Sequence, residues 1–190
     1  MRFTLILAVL VLLGGSPASQ ARYQHATGHG TLGQFYEVLN TTDAIWMLQR
    51  SYNVSDHSCV HSIKVSLTGS QYIFTQYYLD KTHGPKSERL IAKLAMTNDE
   101  TQGAMMIVTK VDGNTQVRNY TLHTWFKEEN CGILTFKDEK ATYQYELYAW
   151  DRSLRTSLTK CTTEYNSCLQ ITHSSSYNVY NETCFPANGC

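Results

Sequence analysis

The sequence predicts an all-β fold, an eight-stranded antiparallel barrel with a short N-terminal helix and a C-terminal helix packed outside it. Eight segments rich in β-branched and aromatic residues follow one another between residues 44 and 150. Turn-forming residues separate them, and Asp112-Gly113 is the strongest hairpin signal among these turns. Because no helical pattern interrupts the series, we expect a meander whose closure removes both sheet edges and leaves room for one small ligand.

The predicted elements occur in a simple order along the chain. The first helix is expected around Phe35, Val38 and Leu39, and residues 40–42 end it. Beyond Asp151 the apolar spacing is again typical of a helix, and the last segment is expected to be a tail strapped to the barrel. Turns separate the strands, one of them at residues 83–85. The predicted strands have the sequences AIWMLQRSYN, VHSIKVSLT, QYIFTQYYL, ERLIAKLAM, GAMMIVTKV, TQVRNYTLHTWF, GILTFK and TYQYELYAW.

Residues 1–21 have the features of a secretory signal peptide. Arg2 is followed by an apolar run over residues 3–13 and by small residues up to Ala21. The apolar run is shorter than the roughly 20 residues that cross a bilayer. We therefore expect a secreted, extracellular protein without a membrane anchor, in which residues 22–190 form one domain.

Six cysteines form an even set in a chain that is expected to be secreted, so disulfides are their expected state. The sequence has no Cys-x-x-Cys pair, which disfavours zinc, and we expect neither a metal nor a cofactor. His25 and His29 lie in a glycine-rich segment and are expected to be solvated. Spacing alone leaves about 15 pairings open for six cysteines, which here are Cys59, Cys131, Cys161, Cys168, Cys184 and Cys190.

Four Asn-x-Ser/Thr sequons are candidate glycosylation sites, and glycans require them to face solvent. Asn119 is expected on the outside of its strand, because Asn119 and Thr121 alternate with Tyr120, which is expected inside. The sequons begin at Asn40, Asn53, Asn119 and Asn181.

The charge balance and the missing motifs disfavour several classes of function. Acidic and basic residues are equal in number, which argues against a nucleic-acid partner and against a strongly basic membrane-binding surface. The chain has no Gly-x-Ser-x-Gly, His-Glu-x-x-His or glycine-rich phosphate loop. We therefore expect a binding protein, acting as a monomer, rather than an enzyme.

The segment YQYELYAW places an acid among aromatic residues. In a strand, Glu146 shares one face with Tyr148 and Trp150. A carboxylate inside an apolar cavity requires a cationic or hydrogen-bonding partner. The residues leave three alternatives open: a bound ligand, a basic side chain such as Arg118 or Lys110, or exposure to solvent.

Several segments together resemble the tick salivary lipocalins, the group that includes the histamine-binding proteins. They are WMLQRSYN before Cys59, EENCGILTF around Cys131, YELYAWD at residues 145–151, the cysteines at 161 and 168, and YNETCF. The similarity covers nearly the whole chain after residue 21. The Gly-x-Trp signature of ordinary lipocalins is absent, with Gly33-Gln34-Phe35 in its place.

The resemblance implies a disulfide pattern and a set of pocket residues. Cys59 is expected to join Cys184, Cys131 to join Cys161, and Cys168 to join Cys190. The glutamate of YEL, Glu146 here, is expected to point into the barrel and to bind the ammonium group of a ligand. The further ligand-binding residues that we expect are Tyr52, Tyr120, Tyr148, Trp150 and, as a second carboxylate, Glu88.

By resemblance, the protein is expected to sequester a small host mediator of inflammation in its cavity, with histamine or a related biogenic amine as the first candidate. Other positions are less polar than in amine binders: Gly132 and Leu122 replace acids, and the fifth strand has Met105, Met106 and Val108. The two methionines are expected to fill the core. A lipid such as a leukotriene, a fatty acid or cholesterol is therefore an alternative ligand, and a host immune protein bound by the outer loops is another.

Overall fold

The structure is a computed structural model that describes residues 30–97, 103–111 and 115–184. The predicted signal peptide, His25, His29, Asp112-Gly113 and Cys190 lie outside the described residues. The helices are α1 (Leu32–Leu39) and α2 (Thr159–Thr172), with single 3-10 turns at Asp151–Ser153 and Glu182–Cys184. The strands are β1 (Ile45–Arg50), β2 (His57–Thr68), β3 (Gln71–Asp80), β4 (Gly84–Met96), β5 (Ala104–Lys110), β6 (Gln116–Phe126), β7 (Cys131–Lys137), β8 (Tyr143–Trp150) and β9 (Tyr177–Asn178).

Strands β1 to β8 form a closed antiparallel barrel, which confirms the predicted fold. Each strand from β2 to β7 pairs with the next one along the chain. β1 closes the barrel because Ile45 lies opposite both Trp150 of β8 and Ser62 of β2. The turn predicted at residues 83–85 is shifted toward the N-terminus, since Pro85 already pairs with Leu79 and β4 begins at Gly84.

The C-terminal tail is strapped to the barrel, as predicted. β1 pairs with β2 only near its start, and β9 takes the place beside the end of β1, with Asn178 opposite Gln49. The amide of Cys59 donates to the carbonyl of Val179 at 2.8 Å, so the tail also bonds to β2. The strap therefore supplies backbone partners where β1 and β2 separate.

Helix α1 lies across the barrel end at which β1 begins and β8 ends. Its N-terminus is a capping box, in which Thr31 and Gln34 each accept a hydrogen bond from the other's backbone amide. Its apolar side is buried, and the indole of Trp150 donates to the carbonyl of Val38 at 3.0 Å. The helix closes this end of the barrel.

Gly30 holds the segment before α1 against the barrel. Its amide donates to Leu122 at 2.8 Å, and its carbonyl accepts from Ala104 at 2.7 Å. A Cβ at Gly30 would lie only 2.8 Å from the Cβ of the buried Leu122. Gly30→Ala is expected to lower the free energy of unfolding by about 1–3 kcal/mol through overpacking, measured by urea denaturation.

Gly33→Ala is the matched control for this prediction. A Cβ at Gly33 meets only the hydroxyl of Thr31, at 3.8 Å. Since Gly33 lies within α1, alanine is expected to raise the free energy of unfolding by about 0.5–1 kcal/mol. Equal effects at the two glycines would contradict the close approach to Leu122.

Helix α2 packs on the outer face of β7 and β8. Tyr145 and Leu147, which point away from the barrel interior, are buried beneath it together with Tyr165. The carboxylate of Glu129 accepts hydrogen bonds from the amides of Lys160 and Cys161 at the start of α2. Both faces of β8 are therefore buried, one by the barrel interior and one by the helix.

Two disulfides have the pairing that the resemblance implies: Cys59 to Cys184 and Cys131 to Cys161. Cys168 is buried and has no disulfide partner among the described residues, and its Sγ lies 3.3 Å from Nε2 of His123. Burial and the neighbouring Glu164 raise the pKa of this thiol to about 12. Because Cys190 lies outside the described residues, its link to Cys168 stays a prediction.

The described surface includes all four sequon asparagines. The side chain of Asn119 is exposed, as predicted, and so are those of the other three sequon asparagines. Glycosylation itself stays a prediction. Among residues 30–97, 103–111 and 115–184, no helix has the length and hydrophobicity to cross a membrane.

Candidate functional site

The barrel encloses a cavity of about 80 Å³ between α1 and the side chain cluster around Glu146. Its floor comes from the apolar side of α1, and its walls come from inward residues of several strands. Most of its lining is apolar, which is typical of sites for small organic ligands. The lining includes Phe35, Val38, Leu39, Ile45, Tyr72, Phe74, Leu90, Met106, Val108, Tyr120, Leu122, Trp125, Leu134, Tyr148 and Trp150.

Glu146 points into the barrel and has no solvent exposure. Its Oε2 accepts a hydrogen bond from the hydroxyl of Tyr148 at 2.6 Å, and its Oε1 accepts one from the hydroxyl of Tyr52. Nη1 of Arg118 lies 3.4 Å from Oε1, and the hydroxyl of Tyr120 lies 3.5 Å from the same atom. The buried carboxylate is therefore paired within the protein. Of the three alternatives that the sequence left open, the structure shows the basic side chain, Arg118.

Four chain segments bring this cluster together: the loop between β1 and β2, and strands β6, β7 and β8. Tyr52 comes from the loop between β1 and β2, while Arg118 and Tyr120 are alternate residues on β6. Phe136 on β7 provides an apolar surface that both Arg118 and Tyr52 contact. The guanidinium carbon of Arg118 lies 3.8 Å from the centre of this ring, and the ring of Tyr52 meets it edge to face at 5.4 Å.

The electrostatics keep the three phenols neutral and the guanidinium charged. Burial, reinforced by the charge of Glu146, raises the pKa of Tyr52, Tyr120 and Tyr148 above their usual value. Burial lowers the pKa of Arg118, but the phenols and Glu146 outweigh it, so the net direction is upward. The cluster therefore combines one carboxylate, one guanidinium and three hydroxyl donors.

The structure brings five of the six predicted ligand-binding residues to the cavity or to this cluster. Trp150 lines the cavity near α1, where its ring lies 5.2 Å from that of Trp125. Tyr120 and Tyr148 both line the cavity and contact Glu146.

The expectation for Glu88 is corrected. Glu88 continues the inward face of Leu90 and Ala92, but it lies nearer the end of the barrel opposite α1. Its side chain is 38% exposed there and forms a salt bridge with Lys110 at 2.8 Å. Glu88 therefore does not line the cavity, and Lys110 pairs with Glu88 rather than with Glu146.

Gly132 has a steric reason to be a glycine in this barrel. A Cβ at this position would lie 2.8 Å from the backbone oxygen of Thr124 and 3.2 Å from the ring of Trp125. The backbone therefore leaves no room for a side chain at this position, an acid included. The apolar character that the sequence predicts for the cavity extends to its wall on β7.

Sequence reasoning missed one member of the cluster, Phe136, and named Arg118 only as an alternative. The signal for Phe136 was the alternation along β7, where Gly132, Leu134 and Phe136 share a face. The same alternation along β6 puts Arg118 on the inward face of Tyr120, although an arginine in a strand is more often on the solvent side.

An eight-stranded antiparallel barrel with an apolar cavity and a helix on its outside has the architecture of the lipocalins. The profile of the family described as "Tick histamine binding protein" matches residues 24–186. The chain therefore belongs to the tick histamine-binding family. Comparison with curated proteins finds no match.

Solved structures support the fold. Japanin from Rhipicephalus appendiculatus, bound to cholesterol, aligns with a TM-score of 0.56 at 12% identity, over 77% of this chain and 97% of that one. The siderocalin Ex-FABP, described as having dual ligand specificities, gives 0.53 at 7% identity, over 74% and 94%. H1 crustacyanin from the lobster Homarus americanus gives 0.51 at 9% identity, over 84% and 92%.

Proposed function

We propose that the protein is secreted in tick saliva and sequesters a small host mediator of inflammation in its barrel, which suppresses host defence. Sequestration requires a buried site and no turnover. The observation that carries the proposal is the enclosed apolar cavity with a polar cluster at one side. Such a cavity suits one ligand molecule per monomer, with its apolar part among the aromatic residues and one polar group at the tyrosine hydroxyls.

The ligand class that this geometry favours is a mainly apolar lipid mediator or sterol without a positive charge. Arg118 already contacts the carboxylate of Glu146. Most of the cavity lining is hydrophobic, with Ser62, Gln76 and Asn130 as polar exceptions. At about 80 Å³ the cavity is smaller than the roughly 300–1,000 Å³ typical of ligand sites. Binding of a lipid therefore requires side chains such as Met106 to move, which the flexibility of methionine permits.

Histamine or a related biogenic amine is the second candidate. Two observations favour it: the full burial of Glu146 among aromatic rings, and the small volume of the cavity. An ammonium ion gains from both a carboxylate and aromatic faces. The family match supports this candidate as well.

Glu146→Gln separates the two classes, because it removes the charge with little change of volume. For an amine, loss of a charge-assisted hydrogen bond is expected to cost roughly 1.5–3 kcal/mol, or about 10- to 100-fold in affinity. For an uncharged lipid, the change in affinity is expected to be much smaller. Calorimetric titration with histamine, serotonin, leukotriene and cholesterol measures both, and Glu128→Gln on the exposed surface is the control.

Wild-type protein that binds none of these four compounds would contradict the proposal in both forms. Mass spectrometry of the purified protein then provides a second check, since a cavity binder is expected to retain one small molecule per chain. If neither method detects a ligand, a host immune protein bound by the outer loops becomes the better candidate.

A further inference from the structure

We infer that Arg118 determines which charge the cavity accepts: it occupies the cation position on Glu146 and thereby excludes protonated amines. The inference rests on the proposed function, since it concerns which mediators the same cavity binds. Three observations support it: the contacts of Arg118, the exposure of the Arg118 side chain, and the separation of β6 from β7.

Arg118 uses the carboxylate contact that an ammonium group requires. Its Nη1 lies 3.4 Å from Oε1 of Glu146 and donates to the hydroxyl of Tyr52 at 3.0 Å. Tyr52 in turn donates to the same oxygen. Since a carboxylate oxygen has two lone pairs, Oε1 is occupied from several directions by groups of the protein itself.

Arg118 also uses the aromatic faces on which a cation would be stabilised. Its guanidinium carbon lies 3.8 Å from the ring centre of Phe136, 5.5 Å from that of Tyr52 and 5.9 Å from that of Tyr120. These distances are all within the roughly 6 Å range of cation–π attraction. An incoming amine therefore competes with a tethered cation for both of its attractive partners.

The surroundings of Arg118 allow its side chain to move away from Glu146, which would free the carboxylate for an amine. Towards the start of β6, the last residue pair between β6 and β7 is Thr121 with Thr135. Beyond this pair the two strands separate, near Arg118. An open groove of about 770 Å³ lies at this gap and includes Arg118 and Phe136 in its wall. Because the side chain of Arg118 is 33% exposed, it has a route outward into this groove.

An amine binds only those molecules in which Arg118 has left Glu146. Its apparent affinity is therefore the intrinsic affinity multiplied by the fraction of such molecules. A neutral lipid pays no such penalty, because it does not need the carboxylate. Arg118 is thus a specificity-determining residue that converts a family site for amines into a site for uncharged ligands.

The test is titration of wild type and Arg118→Gln with histamine, serotonin and cholesterol. Arg118→Gln is expected to bind the two amines at least about tenfold more tightly than wild type, and cholesterol within about threefold of it. The double variant Arg118→Gln with Glu146→Gln is expected to lose the gain. Equal amine affinities of wild type and Arg118→Gln, or a gain that survives in the double variant, would overturn the inference.

Two further variants keep the test decisive. Arg89→Gln removes an exposed arginine on β4 and is expected to leave amine affinity unchanged. Arg118→Lys keeps the cation and, even if Arg118→Gln does not fold, is expected to bind amines as weakly as wild type. A tenfold gain in Arg118→Lys would show that charge is not the cause of exclusion.

The outcome for cholesterol separates this inference from the proposed function. If no variant binds cholesterol but Arg118→Gln gains histamine, the lipid proposal fails and the role of Arg118 stands. If wild type binds cholesterol and Arg118→Gln gains no amine affinity, the proposed function stands and the role of Arg118 is rejected.

Discussion

Replacing Cys59 and Cys184 together by serine is expected to lower the free energy of unfolding by about 5 kcal/mol in the chain-entropy description of crosslinks. The two cysteines are 125 residues apart, so their bond removes much freedom from the unfolded chain. The bond also holds the strap, whose Val179 bonds to Leu48 and Cys59. Urea denaturation of the variant and of wild type, both without reductant, measures the loss.

The Cys131–Cys161 pair provides the comparison. Its sequence separation is 30, and the same description gives a loss of about 3–4 kcal/mol for the double serine variant. A larger loss for this shorter loop would mean that local packing of α2 against β7, rather than loop closure, dominates the effect of both crosslinks.

The order and pairing of the strands were predictable because one local rule governs them. Alternating aromatic and β-branched residues indicated each strand, and a meander of such strands has few alternative topologies. Strand boundaries were less predictable. β4 begins before the predicted turn at residues 83–85 ends, since Pro85 is compatible with the first positions of a strand, where it donates no ladder hydrogen bond.

The inward direction of Glu146 was predictable from the same alternation, but its partner was not. Arg118 lies on β6 and Glu146 on β8, so their contact depends on the registers of two strand pairs and on the shift in pairing between Leu122 and Thr124. The position of Tyr52 depends on a loop, and only the family resemblance indicated it. For Glu88 the alternation correctly predicted the inward face of the strand. It could not predict how far along the barrel axis Glu88 lies, which is outside the cavity.

Val108→Phe is expected to lower the affinity for the barrel ligand, lipid or amine, by about 100-fold or more, which corresponds to roughly 2.7 kcal/mol. Val108 is 2% exposed and lines the cavity of about 80 Å³. The additional ring atoms take up the space that the ligand needs. Because they enter a cavity rather than a filled core, the cost in stability is expected to stay below the roughly 1–3 kcal/mol of ordinary overpacking.

Ile107→Phe is the matched control, since it adds a ring at the next residue on the outer face of β5, where Ile107 is half-buried and lies opposite Asn119. Its ligand affinity is expected to equal that of wild type. Fluorescence or calorimetric titration of the three proteins with the bound mediator measures the difference. If Val108→Phe binds within about threefold of wild type, or if Ile107→Phe loses as much affinity as Val108→Phe, the ligand does not occupy the cavity above α1. Recognition would then take place on the outside of the barrel, as the host-protein alternative requires.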